Sequence, residues 1–199
     1  MESSFCDIPD YACFRKIEPI AKGMSGDKKY YIETLDEKRF LLRVADIAEY
    51  NRKKAEYETM QSAAALGVPM QKPADFGVCD DGRRVYTLLT WADGEEVEKT
   101  LPRLPEAERY ALGVKSGEIL RKIHTLPAPR GADDWAARYF GVIDGRLDAF
   151  RAEGVSFSGD QAILAFLEEN RHLLKGRPQC GHHGDYHEGN MVVSKSGVL

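Results

Sequence analysis

Asp185 and Asn190 stand five positions apart in the run Gly181-His182-His183-Gly184-Asp185-Tyr186-His187-Glu188-Gly189-Asn190-Met191-Val192-Val193, and His183 completes the spacing H-x-D-x-x-x-x-N. Moving a phosphoryl group onto a hydroxyl calls for such a set. One carboxylate must orient the hydroxyl and take its proton, and oxygen ligands must hold the metal ions that neutralise the phosphate. Asp185 supplies a carboxylate suited to the catalytic base, and Asn190 supplies an amide oxygen suited to Mg²⁺. Gly184 and Gly189 free the backbone between them to aim both side chains at one place. Two other readings fit the same letters. Asp, Asn and Gly are common turn formers, so the run could be a plain polar loop. His183 and His187 would share one face of a helix, a spacing known from zinc-dependent hydrolases, although the surrounding glycines oppose a helix here.

The elements that must position this run fall into two groups. The first ninety residues read as strands interrupted by one helix, a mixed α+β pattern of antiparallel hairpins. Phe14 to Ile20 and Tyr30 to Leu35 flank the turn-rich segment Ala21 to Asp27, and after a polar turn at Asp36 to Arg39 the run Phe40 to Val44 reads as a central strand. Arg43 is the exception in that apolar run. From Glu49 to Leu66 the chain has no Gly or Pro and then meets Gly67 and Pro69, which is a helix with its exit. Ala74 to Cys79 and Arg83 to Thr90 bracket the tight turn Asp80-Asp81-Gly82. Beyond Trp91 to Glu95 the composition turns helical. A helix is expected from Pro105 to His124, with further helical stretches over Asp133 to Glu153 and Asp160 to Leu174. A β-rich lobe over 1–92 and a helical lobe over 93–199 follow.

Bulk properties remove several classes of function. The net charge is -4, from 28 basic and 32 acidic residues spread along the chain, which does not give the concentrated basic face of a nucleic-acid binder. Met1 to Asp10 lack the basic start and apolar run of a leader, and no stretch is apolar enough to span a membrane, so a cytoplasmic protein is expected. Cys6, Cys13, Cys79 and Cys180 are far apart and form no C-x-x-C pair, which fits reduced thiols.

With these residues in view, the sequence resembles the aminoglycoside phosphotransferase family of kinase-like enzymes over nearly its whole length. His183-Gly184-Asp185-Tyr186-His187 with Asn190 is similar to that family's catalytic loop, and Gly67-Val68-Pro69 is similar to its passage from helix to fourth strand. The resemblance implies a protein-kinase-like two-lobe fold: a five-stranded antiparallel sheet with one helix, then a mainly helical lobe. It implies an ATP-dependent, Mg²⁺-requiring transfer to a small-molecule hydroxyl. It also implies that Lys22 to Gly26, with Gly23 and Ser25, cap the nucleotide phosphates. Arg43 falls where kinases place a lysine on the third strand, and Glu56 is its expected partner on the helix, with Glu58 the alternative. Leu88 to Gly94 reads as the hinge, where the carbonyl of Thr90 and the N–H of Ala92 would meet the adenine.

The same resemblance calls for a second metal carboxylate beyond the catalytic loop. Met191 to Val193, the turn Ser194 to Gly197 and Val198-Leu199 read as a hairpin broken off in its return strand. The chain is therefore expected to be a truncated piece that transfers little phosphate by itself. Between Gly131 and Asn170 acidic residues outnumber basic ones eight to three. That balance suits a cationic acceptor such as an aminoglycoside, and equally suits a solvated helical face. A nucleotide-binding module without transfer activity is the remaining alternative, favoured by arginine at position 43.

Overall fold

The computed structural model describes residues 5–21, 26–128, 131–194 and 197–198. These form two compact units, residues 1–123 with 183–199, and residues 124–182.

In the first unit β1 (Phe14–Ile20), β2 (Lys28–Thr34), β3 (Arg39–Asp46), β4 (Pro73–Cys79) and β5 (Arg84–Thr90) make one antiparallel sheet in the order β1-β2-β3-β5-β4. Alternation along β2 explains its two faces. Tyr30, Ile32 and Thr34 are buried, and Tyr30 and Ile32 stand opposite Leu42 and Phe40 of β3. Leu42, Val44, Tyr86 and Leu88 extend that apolar face, which the N-terminal residues Phe5 and Ile8 cover. Phe5 meets Tyr30 edge to face with ring centroids 4.9 Å apart, a contact the sequence reading did not anticipate.

The helix α1 (Tyr50–Ala65) interrupts the sheet between β3 and β4. Its exit is as expected: Gly67 takes φ +71°, and the N–H groups of Gly67 and Val68 bond back to the carbonyls of Ala64 and Ala63. Tyr50 and Tyr57, on one stripe of α1, pack on Phe76 of β4 at 5.5 and 5.3 Å between ring centroids. Asp80, Asp81 and Gly82 all adopt positive φ in the turn between β4 and β5.

After β5, the two-residue strand β6 (Glu95–Glu96), the short helix α2 (Val97–Thr100) and the helix α3 (Glu106–Ile123) complete this unit with β7 (Val192–Ser194) and β8 (Gly197–Val198). β6, β7 and β8 form a second antiparallel sheet in that order, with Glu95 opposite Val193 and Val193 opposite Val198. The expected terminal hairpin is thus present, and β7 gains a second partner in β6.

The second unit holds α4 (Trp135–Glu153) and α5 (Asp160–Glu169). Asp134 caps α4 by accepting the N–H of Ala137, and Gly154 ends it in the left-handed region. The last helix is shorter than expected. The Phe166 carbonyl accepts both the side-chain amide and the backbone N–H of Asn170, at 2.8 and 3.1 Å, and the chain continues as a 3₁₀ turn over Arg171–Leu174. Among the described residues no helix is long and apolar enough to cross a membrane.

Candidate active site

Residues 183–191 form a loop, with a 3₁₀ turn at Glu188–Asn190 and Gly184 at φ +81°. Its base is fixed to α3: the Tyr186 hydroxyl donates to the Ser116 carbonyl at 2.8 Å, and the Ser116 hydroxyl reaches Met191 Sδ at 3.6 Å. The loop's polar face is open, with the Asp185 side chain 75% exposed.

Within that frame the two residues singled out by spacing meet. Asn190 Nδ2 donates to the Asp185 carbonyl at 3.0 Å and to its carboxylate Oδ2 at 2.8 Å. Because the amide nitrogen is held by Asp185, the oxygen of Asn190 is the atom left to a cation. His187 Nδ1 accepts from the Gly189 N–H at 3.2 Å, and its Nε2 lies 3.2 Å from the Asn190 amide nitrogen and 3.5 Å from Asp185 Oδ1. A Cβ at Gly189 would lie 2.7 Å from the His187 ring, so that position needs glycine for this packing.

The paired histidines do not assemble a metal centre. His183 stands edge to face with Tyr186 at 5.4 Å, and among the described residues no three His, Cys, Asp or Glu side chains are grouped to hold a metal ion. A loop rather than a helix separates His183 from His187, so the shared face that zinc would need is missing.

Arg43 does not pair with Glu56. Its guanidinium lies on Asp27 instead, with Nε at 2.9 Å and Nη2 at 2.5 Å from the same carboxylate oxygen. Lys53 of α1 donates to that oxygen as well, at 2.7 Å. Glu56 bonds Arg52 at 2.6 Å and Lys53 at 3.3 Å. The reason is register and phase: Arg43 stands opposite Lys29 near the start of β2, beside Asp27, while α1 turns Lys53 inward between Tyr50 and Tyr57. The Lys53 and Asp27 side chains are 6% and 4% exposed, Arg43 24%. Burial by itself would push the Asp27 carboxyl up, but the Lys53 hydrogen bond and the Arg43 charge outweigh it and hold it below the usual carboxylate range. Sequence reasoning missed Asp27 and Lys53. The available signal was a lysine on the aromatic stripe of a helix, matching the arginine inside an apolar strand.

The connector after β5 is pinned on the first unit. Thr90 exchanges two bonds of 2.8 Å with the backbone of Lys72, Trp91 donates to the Arg39 carbonyl, and Asp93 pairs with Arg39 at 2.6 Å. The N–H of Ala92 has no partner among the described residues. Gly23 and Ser25, the expected phosphate cap, lie outside the described residues.

Gly94 closes this connector against β7. A Cβ there would sit 2.5 Å from the Val193 carbonyl oxygen, and the φ of +156° adds backbone strain for any other residue. We expect Gly94→Ala to lower the free energy of unfolding by about 1–3 kcal/mol, from the backbone shift needed to relieve the clash. Urea titration of the variant beside the parent chain checks this, and equal midpoints would contradict the packing described.

A family model described as the phosphotransferase enzyme family matches residues 16–199. No curated protein matches the sequence. Among solved structures, an aminoglycoside-3'-phosphotransferase of type VIII aligns with 23% identity and a TM-score of 0.53, covering 89% of this chain and 66% of its own. An aminoglycoside phosphotransferase from Streptomyces rimosus, also solved with ADP and streptomycin, aligns with 16% identity and a TM-score of 0.59, covering 92% and 68%. An amicoumacin kinase solved with AMP-PNP and Ca²⁺ aligns with 14% identity and a TM-score of 0.57, covering 91% and 57%. This chain thus spans between 57% and 68% of the length of these three structures, and the likeness carries the kinase-like fold.

Proposed function

The chain belongs to the phosphotransferase enzyme family, and from that premise we propose that it moves the γ-phosphate of ATP onto a hydroxyl of a small molecule. The observation that carries this reading is the 2.8 Å contact between Asn190 and the Asp185 carboxylate on an open loop. Asp185 orients the acceptor hydroxyl and receives its proton, and the Asn190 oxygen is the protein ligand for Mg²⁺. Bound Mg²⁺ supplies neutralisation of charge on the phosphate oxygens. An amide oxygen fits as one of the few protein ligands of that ion, which keeps several of its waters.

On this reading residues 1–92 form the nucleotide-binding lobe and 93–199 the helical lobe that bears the catalytic loop. The hinge atoms are the Thr90 carbonyl and the Ala92 N–H, and Gly23 and Ser25 cap the phosphates. The location is cytoplasmic. The acceptor is a cationic, hydroxyl-rich compound of the aminoglycoside type, supported by the relative solved with streptomycin. Part of the acidic stretch has structural work: Asp144 and Glu168 pair with Arg171, and Asp148 pairs with Arg151. Transfer needs a second metal carboxylate, so the 199 residues alone are expected to bind nucleotide while forming little product. A binding module without transfer is the second reading, favoured by the arginine at position 43 and its tether to Asp27.

Calorimetry with ATP and Mg²⁺, followed by mass spectrometry of an aminoglycoside panel, tests the proposal. Mg²⁺-dependent ATP binding by the chain is expected, with a phosphorylated product once the second carboxylate is supplied. ATP binding without product under those conditions selects the binding module, and absence of nucleotide binding removes both readings.

A further inference from the structure

Two cations and one carboxylate oxygen meet at the start of β2, and their burial differs in a way that assigns roles. Arg43 gives two of its N–H groups, Nε and Nη2, to Asp27 Oδ2. A guanidinium carries five N–H donors in a planar fork, so one edge of Arg43 is held while the rest of the fork stays available, and this side chain is 24% exposed. Lys53 is different. Its ammonium is spent on Asp27 at 2.7 Å and Glu56 at 3.3 Å inside a 6% exposed side chain, too deep to meet a ligand directly.

The remaining partners of the cluster are accounted for. Glu56 is drawn away by Arg52 at 2.6 Å, and Arg52 also pairs with Glu49. Asp27 is therefore the one carboxylate, among the described residues, that bonds both the strand cation and the helix cation. It ties the residue after Gly26 to β3 and α1 at once, and any shift of α1 through Lys53 is transmitted to the carboxylate that aims Arg43.

We propose that Asp27 and Lys53 are positioning residues that lock one edge of the Arg43 guanidinium, so that its free edge meets the nucleotide's phosphates. This rests on the nucleotide-binding reading above and deepens it. Arg43 then touches the phosphate, Asp27 fixes its plane, and Lys53 fixes Asp27 from the helix. A strand lysine could also serve two acceptors, but from a freely rotating point charge rather than from an edge fixed in one plane. The planar fork makes arginine the fitting residue at this position.

The test compares ATP with adenosine, because only the former presents phosphates to Arg43. Wild-type chain, Asp27→Asn and the double variant Asp27→Asn/Lys53→Met are assayed for binding of both compounds and for urea stability. In Asp27→Asn the preference for ATP over adenosine is expected to fall about tenfold or more, the loss of one charge-assisted contact, while adenosine affinity changes less than about twofold. In the double variant the buried lysine, which Asp27→Asn leaves with Glu56 as its carboxylate partner at 3.3 Å, is gone, so stability returns toward wild type. Discrimination is expected to stay lost, because nothing then holds Arg43. A double variant with restored stability and the wild-type preference for ATP would overturn the proposal, and would leave nucleotide binding itself intact. A wild-type chain that binds ATP no better than adenosine overturns the proposal together with the reading it rests on.

Discussion

Replacing Asp185 by alanine is expected to slow phosphoryl transfer by about 10² to 10⁴ in a protein carrying both metal ligands, the range for loss of a positioned general base. Asp185→Asn keeps the shape and removes the proton acceptor, so it is expected to lose as much. ATP affinity should stay within about twofold, because the carboxylate acts on the acceptor rather than on the nucleotide. Single-turnover kinetics with a phosphate-accepting compound measure this directly. A rate within about threefold of the parent would mean that Asp185 is an ordinary loop residue, as its turn-forming neighbours also permit.

Asp27→Ala carries the largest expected loss of stability, about 3–5 kcal/mol, since it leaves Lys53 and Arg43 facing each other without their shared carboxylate. Truncating Asp148, whose partner Arg151 is likewise solvent-exposed, should change stability by less than about 0.5 kcal/mol. The sign of the pH effect follows from the same pair. The Asp27 carboxyl is lowered from 3.8 in the folded state, so its contribution is complete above about pH 4 and is lost as the pH falls through the lower folded value. The gap in denaturant midpoint between parent and variant should therefore begin to narrow as the pH falls below about 4. A difference that persists unchanged to pH 3 would assign the stability of Asp27 to something other than its charge.

The five-stranded sheet was legible because its signals are local. Alternation in Tyr30 to Thr34, the turn at Asp80 to Gly82 and the exit at Gly67 each depend on a few neighbouring residues, and each is where the sequence places it. The meeting of Asp185 and Asn190 was legible for the same reason, since both lie in one short loop. The partner of Arg43 was not. Which helix residue faces β3 depends on the rotation of α1, set by the contacts of Tyr50 and Tyr57 with Phe76, and Asp27 read only as part of a turn. Glu95–Glu96 is invisible as a strand for a further reason: two acidic residues carry no β pattern, and the strand exists only because Val192 and Val193 pair with it. The burial of Phe5 and Ile8 also rests on long-range packing that a short, largely polar stretch does not advertise.

That pairing of β6 with β7 sets an order of assembly. β1, β2 and β3 find partners among close neighbours in the chain and can join as soon as they leave the ribosome, whereas Glu96 must wait for Val192. The loop that carries Asp185 and Asn190 thus leads into a strand whose partner is made far earlier, and a chain arrested before Val192 would carry a folded five-stranded sheet while β6 still awaited β7.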